Sequence, residues 1–100
     1  MTAGRIQYHF SSVPWQYAGP GGWVFVSLPE KLSKEIRETF RREEEGWGRL
    51  PVSAKVGTTG WKTAIWFDSK VNTYLLALKA EVRKKEKIEI GKKTDLSLFV

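Results

Sequence analysis

Residues 50–67 read LPVSAKVGTTGWKTAIWF. Two alternating runs meet at Gly57-Thr58-Thr59-Gly60, and runs of this kind flanking a glycine-bounded turn predict a β-hairpin. With Gly57–Gly60 as the loop, Val56 pairs with Trp61, Lys55 with Lys62, Ala54 with Thr63, Ser53 with Ala64, Val52 with Ile65 and Pro51 with Trp66. Side chains alternate across a strand. Leu50, Val52, Ala54, Val56, Trp61, Thr63, Ile65 and Phe67 therefore share one face, which is mostly apolar and is the core face. Pro51, Ser53, Lys55, Lys62, Ala64 and Trp66 share the other.

That second face poses the functional question. Two lysines directly opposite each other repel, and a bound anion relieves the repulsion. Trp66, beside Pro51, offers a flat π surface to a base or a sugar. The competing reading is packing: Trp66 lies under a helix, and strand lysines guard against edge pairing.

The flanking sequence extends the β pattern. In RIQYHF, 5–10, Ile6, Tyr8 and Phe10 alternate with Arg5, Gln7 and His9, as in a half-buried strand. Pro14 cannot donate to a ladder and marks an edge or bulge. AGPGG, 18–22, is a turn. WVFVSL, 23–28, is apolar and β-branched, with Trp23, Phe25 and Ser27 opposing Val24, Val26 and Leu28, and reads as a buried strand. Pro29 opens a helix whose stripe is Leu32, Ile36 and Phe40. Its charged remainder runs to Glu45, where EEE is poorly placed against the helix dipole and is expected to fray, and Gly46 and Gly48 around Trp47 end it. After the hairpin, DSKVN turns the chain, TYLLALK is a strand, and AEVRKKEK, 80–87, is a short helix with Ala80 and Val82–Lys84 as its core-side start. TDLSLFV, 94–100, closes as a strand with Leu96, Leu98 and Val100 inward.

The pieces come in an order that resembles a known family. WVFVSLPEKLSKEIR at 23–37, GWGRLPVSAKVGTTGWKTAIWF at 46–67 and YLLALKAEVRKKEKIEIGKKTDLSLFV at 74–100 together resemble the domain-of-unknown-function family numbered 1905. The resemblance implies a double-split β-barrel, related in fold to transition-state-regulator DNA-binding proteins and certain antitoxins, whose members dimerise through strands. It implies no reaction, because fold does not fix function.

Composition narrows the classes. The chain carries 17 basic and 11 acidic residues, a net charge of +6, and no cysteine. Thiol nucleophiles, disulfides and cysteine metal sites are excluded. No signal-peptide pattern or membrane-length apolar run is present, which predicts a cytoplasmic protein. The charge is uneven. KAEVRKKEKIEIGKK, 79–93, holds seven basic and three acidic residues. Such a segment is either a solvated face or a contact for polyanions, and at a helix C-terminus cations are also favoured by the dipole. The helix carries no Asn or Gln to read bases.

Catalytic signals are weak. His9 is the only histidine, with no ligand partner at a metal spacing. Glu43, Glu44 and Glu45 are consecutive and diverge on a helix, so they form no acid/base pair. GPGG and GTTG lack the Lys-Ser/Thr of a phosphate loop. The chain therefore reads as a single domain over 1–100, mainly β with two helices: a small double-split β-barrel of six or seven short strands plus one amphipathic helix. It is expected to be a non-catalytic binding module, without metal or cofactor, for an anionic ligand, nucleic acid included. Lys55 and Lys62 neutralise charge, Trp66 stacks, and Arg83 and Lys84 extend the positive field. The alternative is a protein-interaction or homodimerisation domain using Trp15, Tyr17 and Trp47.

Overall fold

A computed structural model of the chain describes residues 6–100; Arg5, placed above on the first strand, lies outside them. The β4–β5 hairpin is central. Strand β4 (Arg49–Val56) and β5 (Thr59–Asp68) pair antiparallel. Around them lie β1 (Gln7–Ser12), β2 (Trp15–Gln16), β3 (Val24–Ser27), β6 (Thr73–Ala77) and β7 (Thr94–Phe99), in the order β1-β7-β4-β5-β6-β3-β2. All pairings are antiparallel. The sheet curls into a half-barrel. Its edge strands, β1 and β2, are consecutive in sequence, so the chain itself crosses from one edge to the other at Val13-Pro14. Pro14 is fully buried there, and its carbonyl accepts the Gly91 N–H at 3.0 Å. The mainly β, two-helix architecture expected from the sequence is thus borne out.

The core fills the inner face. Val24, Val26 and Leu28, Leu50, Val52 and Ala54, Tyr74, Leu76 and Leu78, and Leu96 and Leu98 are all buried, each set at the two-residue spacing of a pleated strand. Helix α1 (Glu30–Phe40) packs against β6 and adds Ile36 and Phe40 to the core, while α2 (Ala80–Glu86) packs against β5 through Val82. Of the residues expected inward on α2, Val82 is buried and Arg83 half-buried, while Ala80 and Lys84 are exposed. Proline supplies the N-cap position of α1, at φ −54° and ψ 144°, because a missing N–H costs nothing at a helix start.

The helix ends earlier than its charged sequence predicts. It stops at Phe40, and a 3-10 turn, Arg41–Glu43, follows. Tertiary bonds account for this. Glu44 turns inward and accepts a hydrogen bond from the buried Tyr74 hydroxyl, with Arg37 Nε 3.7 Å away and the Arg37 guanidinium lying over the Phe67 ring at 3.7 Å. Burial, then the bond to Glu44, holds the Tyr74 phenol well above its ordinary pKa. The three glutamates diverge: Glu43 is exposed, Glu44 meets Tyr74, and Glu45 meets Arg49.

Ser33 is the one buried polar residue of α1, and its Oγ accepts the Tyr74 backbone N–H at 3.0 Å. Removing the hydroxyl strands a buried donor, which costs about 1–3 kcal/mol. Ser33→Ala is expected to lower the thermal midpoint by several degrees or more, while Ser33→Thr, which keeps the acceptor, falls between the two when melts are compared.

Candidate functional site

The hairpin register decides which groups meet on the outer face. Val56 pairs with Thr59 across a two-residue turn, Gly57-Thr58, so Lys55 faces Gly60, Lys62 faces Ser53, and Trp66 faces Arg49. This corrects the sequence expectation by two residues. A two-residue hairpin turn requires a positive φ at a central position, and Gly57 supplies it at +58°. The turn is then clamped from α2: the Thr59 hydroxyl donates to the Glu86 carboxylate. A shift of two leaves every side chain on its expected face, but the lysines become diagonal neighbours rather than direct opposites. Pro51 faces Ala64 rather than Trp66.

The outer face divides into two halves. On β1, β7 and β4 it is mostly polar, with Phe99 of β7 the aromatic exception. Gln7, His9, Ser11, Lys55, Asp95 and Ser97 line an open groove of about 620 Å³. Ser97 stands between Lys55 and His9 in the sheet. The His9 ring is engaged at both nitrogens, with Ser97 Oγ 2.7 Å from Nδ1 and Gln7 Nε2 3.0 Å from Nε2. Ser11 donates to Asp95. Among the described residues, neither Lys55 nor Lys62 has an acidic group within ion-pair distance.

On β5, β6, β3 and the chain beyond β2 the outer face is aromatic. Tyr17, Trp23, Phe25, Trp66, Leu75 and Ala77 line a second open groove of about 320 Å³. The rows of the sheet explain the cluster. Trp66 faces Leu75 across β5–β6, Leu75 faces Ser27 across β6–β3, and in the next row Ala77, Phe25 and Trp15 lie side by side. The rings interlock. Trp15 packs at 5.3 Å from Phe25, Tyr17 meets Phe25 edge-on at 6.3 Å, and Trp23 lies nearly parallel to Phe25, 6.3 Å between centroids. Trp15 also donates its indole N–H to Ser27 Oγ at 2.9 Å, a fixed role in the wall.

These side chains remain open to solvent. Trp23 is 56% exposed, Tyr17 50% and Trp66 37%. Helix α1 therefore does not cover Trp66, and the 23–28 strand, expected to be buried, is covered on its inner face alone. The rim is cationic along one side: Lys62 shares the outer face of β5 with Ala64 and Trp66, and the Arg49 guanidinium lies over the Trp66 ring, 5.8 Å from its centroid. Arg49 is also held by Glu45 at 2.5 Å. Asp68, next along the same face, accepts the Lys70 backbone N–H at 3.0 Å.

The structure brings Lys55, Lys62 and Trp66 together on one face and leaves Arg83 and Lys84 on α2. Arg83 is half-buried, and its Nε donates to the Leu78 carbonyl at 3.0 Å, tying the helix to the preceding strand. Lys84 is exposed. Trp15, Tyr17 and Trp47 do not form one patch. Tyr17 lines the aromatic groove, Trp15 supports it, and Trp47 projects from its own turn at 94% exposure. The partners missed in the sequence are Trp23 and Phe25, which the alternation with Val24 and Val26 had already put on one face.

Among the described residues, no three His, Cys, Asp or Glu side chains gather as for a metal ion, and no helix is long and apolar enough to cross a membrane. The molecule is thus a small half-barrel with an uncovered, two-part sheet face. The family model described as a domain of unknown function, DUF1905, matches residues 10–98, and the chain belongs to that family. No curated protein matches it.

The two-residue turn that sets this face gives a direct test. A Cβ at residue 57 would lie 2.2 Å from Glu86 Oε1, at a φ of +58°. Gly57→Ala is expected to destabilise the domain by about 1–2 kcal/mol from the left-handed backbone alone, read as a lower thermal midpoint. Gly60→Ala, whose added carbon meets no atom closer than 3.6 Å, is expected to cost less.

Proposed function

We propose that this protein is a non-catalytic binding module whose working surface is the outer face of the sheet, and that it holds an anionic ligand there. The observation that carries this reading is the pair Lys55 and Lys62. They stand as diagonal neighbours on β4 and β5, about 7–8 Å apart, with no acidic partner among the described residues. At this diagonal spacing the repulsion between two exposed lysines is small and screened, but a bound anion gives both charges a partner they lack in the free protein. Ser53, opposite Lys62 and two residues before Lys55 on the same strand face, adds a hydroxyl beside both. The protein's net charge of +6 favours approach of any polyanion over long range.

A catalytic reading has less support. Both His9 nitrogens are already engaged by Ser97 and Gln7, and Asp95 is engaged by Ser11. The basic α2 segment extends the positive field: Lys84 is exposed, and Arg83 keeps its charge while its Nε donates to the Leu78 carbonyl.

The test is titration with inorganic polyphosphate and with heparin across a salt series. Each lysine that neutralises a phosphate contributes about one unit to the slope of log affinity against log salt. Lys55→Ala with Lys62→Ala is expected to lower that slope by about two units and to weaken binding several-fold at low salt. Lys84→Ala with Lys85→Ala is expected to change it far less. Equal losses for both pairs would remove the outer face from the account.

A further inference from the structure

The aromatic groove names the ligand class that the lysines leave open. Resting on the anion-binding reading above, we propose that this groove stacks the unpaired bases of single-stranded nucleic acid, while Lys62 and Lys55 follow its phosphates.

The groove's chemistry selects among planar and polar partners. Its walls are Tyr17, Trp23, Phe25 and Trp66, and its floor is Leu75 and Ala77. Apart from the indole and phenol edges, no side chain lining it donates or accepts a hydrogen bond. A neutral sugar can stack a C–H face there with its hydroxyls in water, but it leaves the neighbouring lysines without a partner. A nucleobase in a nucleic acid stacks its π face, keeps its polar edges in water and brings a phosphate with it. Every base has such a face, so the groove holds bases without reading them. Duplex bases are stacked on one another and cannot offer their faces, so the groove takes single strands only.

Charge complementarity supports the same occupant. The side of the groove toward the hairpin turn is cationic, with Lys62 on the same strand face as Trp66 and Lys55 diagonal to Lys62. A positive track beside aromatic side chains is the arrangement by which single strands are held. A second copy of this chain would bury the same tryptophans, but it would also bring Lys62 and Lys55 into a contact whose acids are already engaged: Glu45 by Arg49 and Asp68 by the Lys70 N–H.

The experiment uses fluorescence anisotropy with a labelled oligothymidylate of about 15 nucleotides, within the range of site sizes known for small single-strand-binding folds. Unlabelled duplex of the same length and inorganic polyphosphate compete. The single strand is expected to bind more tightly than either competitor. Trp66→Ala and Trp23→Ala are each expected to weaken oligothymidylate binding about tenfold and to leave polyphosphate binding unchanged, while Trp66→Phe, which keeps a π face, retains most of the affinity. Thermal melts of each variant establish that the fold is intact. Equal affinity for single strand, duplex and polyphosphate, with the tryptophan variants indifferent, overturns base stacking and leaves the anion-binding reading standing. No binding of any polyanion overturns both. A concentration-dependent dimer in sedimentation that Trp23→Ala dissolves, without any effect of that variant on oligothymidylate, also overturns the proposal and makes the groove a contact between copies.

Discussion

The pairing of β4 with β5 is the constraint on which the rest of the molecule depends. These two strands lie at the centre of the sheet, so each neighbour takes its register from them. With Val56 opposite Thr59, the even positions of β4 point inward and the odd ones outward. β7 then aligns Leu98 with Ala54, and β6 aligns Leu76 with Ile65. A slip of one residue would send Leu50, Val52, Ala54 and Val56 to solvent and lose their burial. Burial of a side chain of this size contributes roughly 1.5–3 kcal/mol, so a one-residue slip costs far more than any turn preference. A slip of two keeps the faces and is decided by the turn alone, where Gly57 and the Glu86 clamp act.

The same constraint leaves one face of the sheet uncovered. Both helices pack against the inner side or the ends, through Ile36, Phe40 and Val82. The crossing at Val13-Pro14 brings the two sheet edges together without covering the outside. In most small domains an outer sheet face is then made polar, since antiparallel sheets can face water. Here only the β1, β7 and β4 half follows that pattern. The β5, β6 and β3 half carries Trp66, Leu75, Ala77 and Phe25, with Trp66 open to solvent and the other three half-buried.

Much of the fold was legible in the sequence because it is written in period-two alternation and in prolines. The strands, the bend at Pro14, the helix start at Pro29 and the inward set of β7 all rest on local rules. What was not legible depends on contacts distant in sequence. The end of α1 was legible in part: fraying at EEE follows from the helix dipole, but the helix stops already at Phe40, and the bond by which Tyr74, thirty residues on, draws Glu44 inward is a tertiary contact. The hairpin register was ambiguous because Gly57-Thr58-Thr59-Gly60 admits turns of two or four residues. For the site, Lys55, Lys62 and Trp66 were found together because a hairpin keeps them on one face. Trp23 and Phe25 were missed because a strand apolar on both sides reads as buried, and whether a helix covers its outer side is not recorded in its own periodicity. Arg83 was read as part of the positive field and keeps its charge, but the bond from its Nε to the Leu78 carbonyl is invisible from the helix pattern.

The central claim is that ligand meets this protein on the outer sheet face, over its tryptophans. The most direct measurement is to follow the indole N–H signals of the five tryptophans by NMR while single-stranded oligonucleotide is added. Trp23 and Trp66 lie in the open groove, whereas Trp61 packs against the core with its indole nitrogen buried. The account expects the Trp23 and Trp66 signals to move together with the backbone amides of Lys62 and Ala64, and the Trp61 signal to stay in place. Movement confined to α2 around Lys84, with Trp23 and Trp66 unchanged, would contradict it.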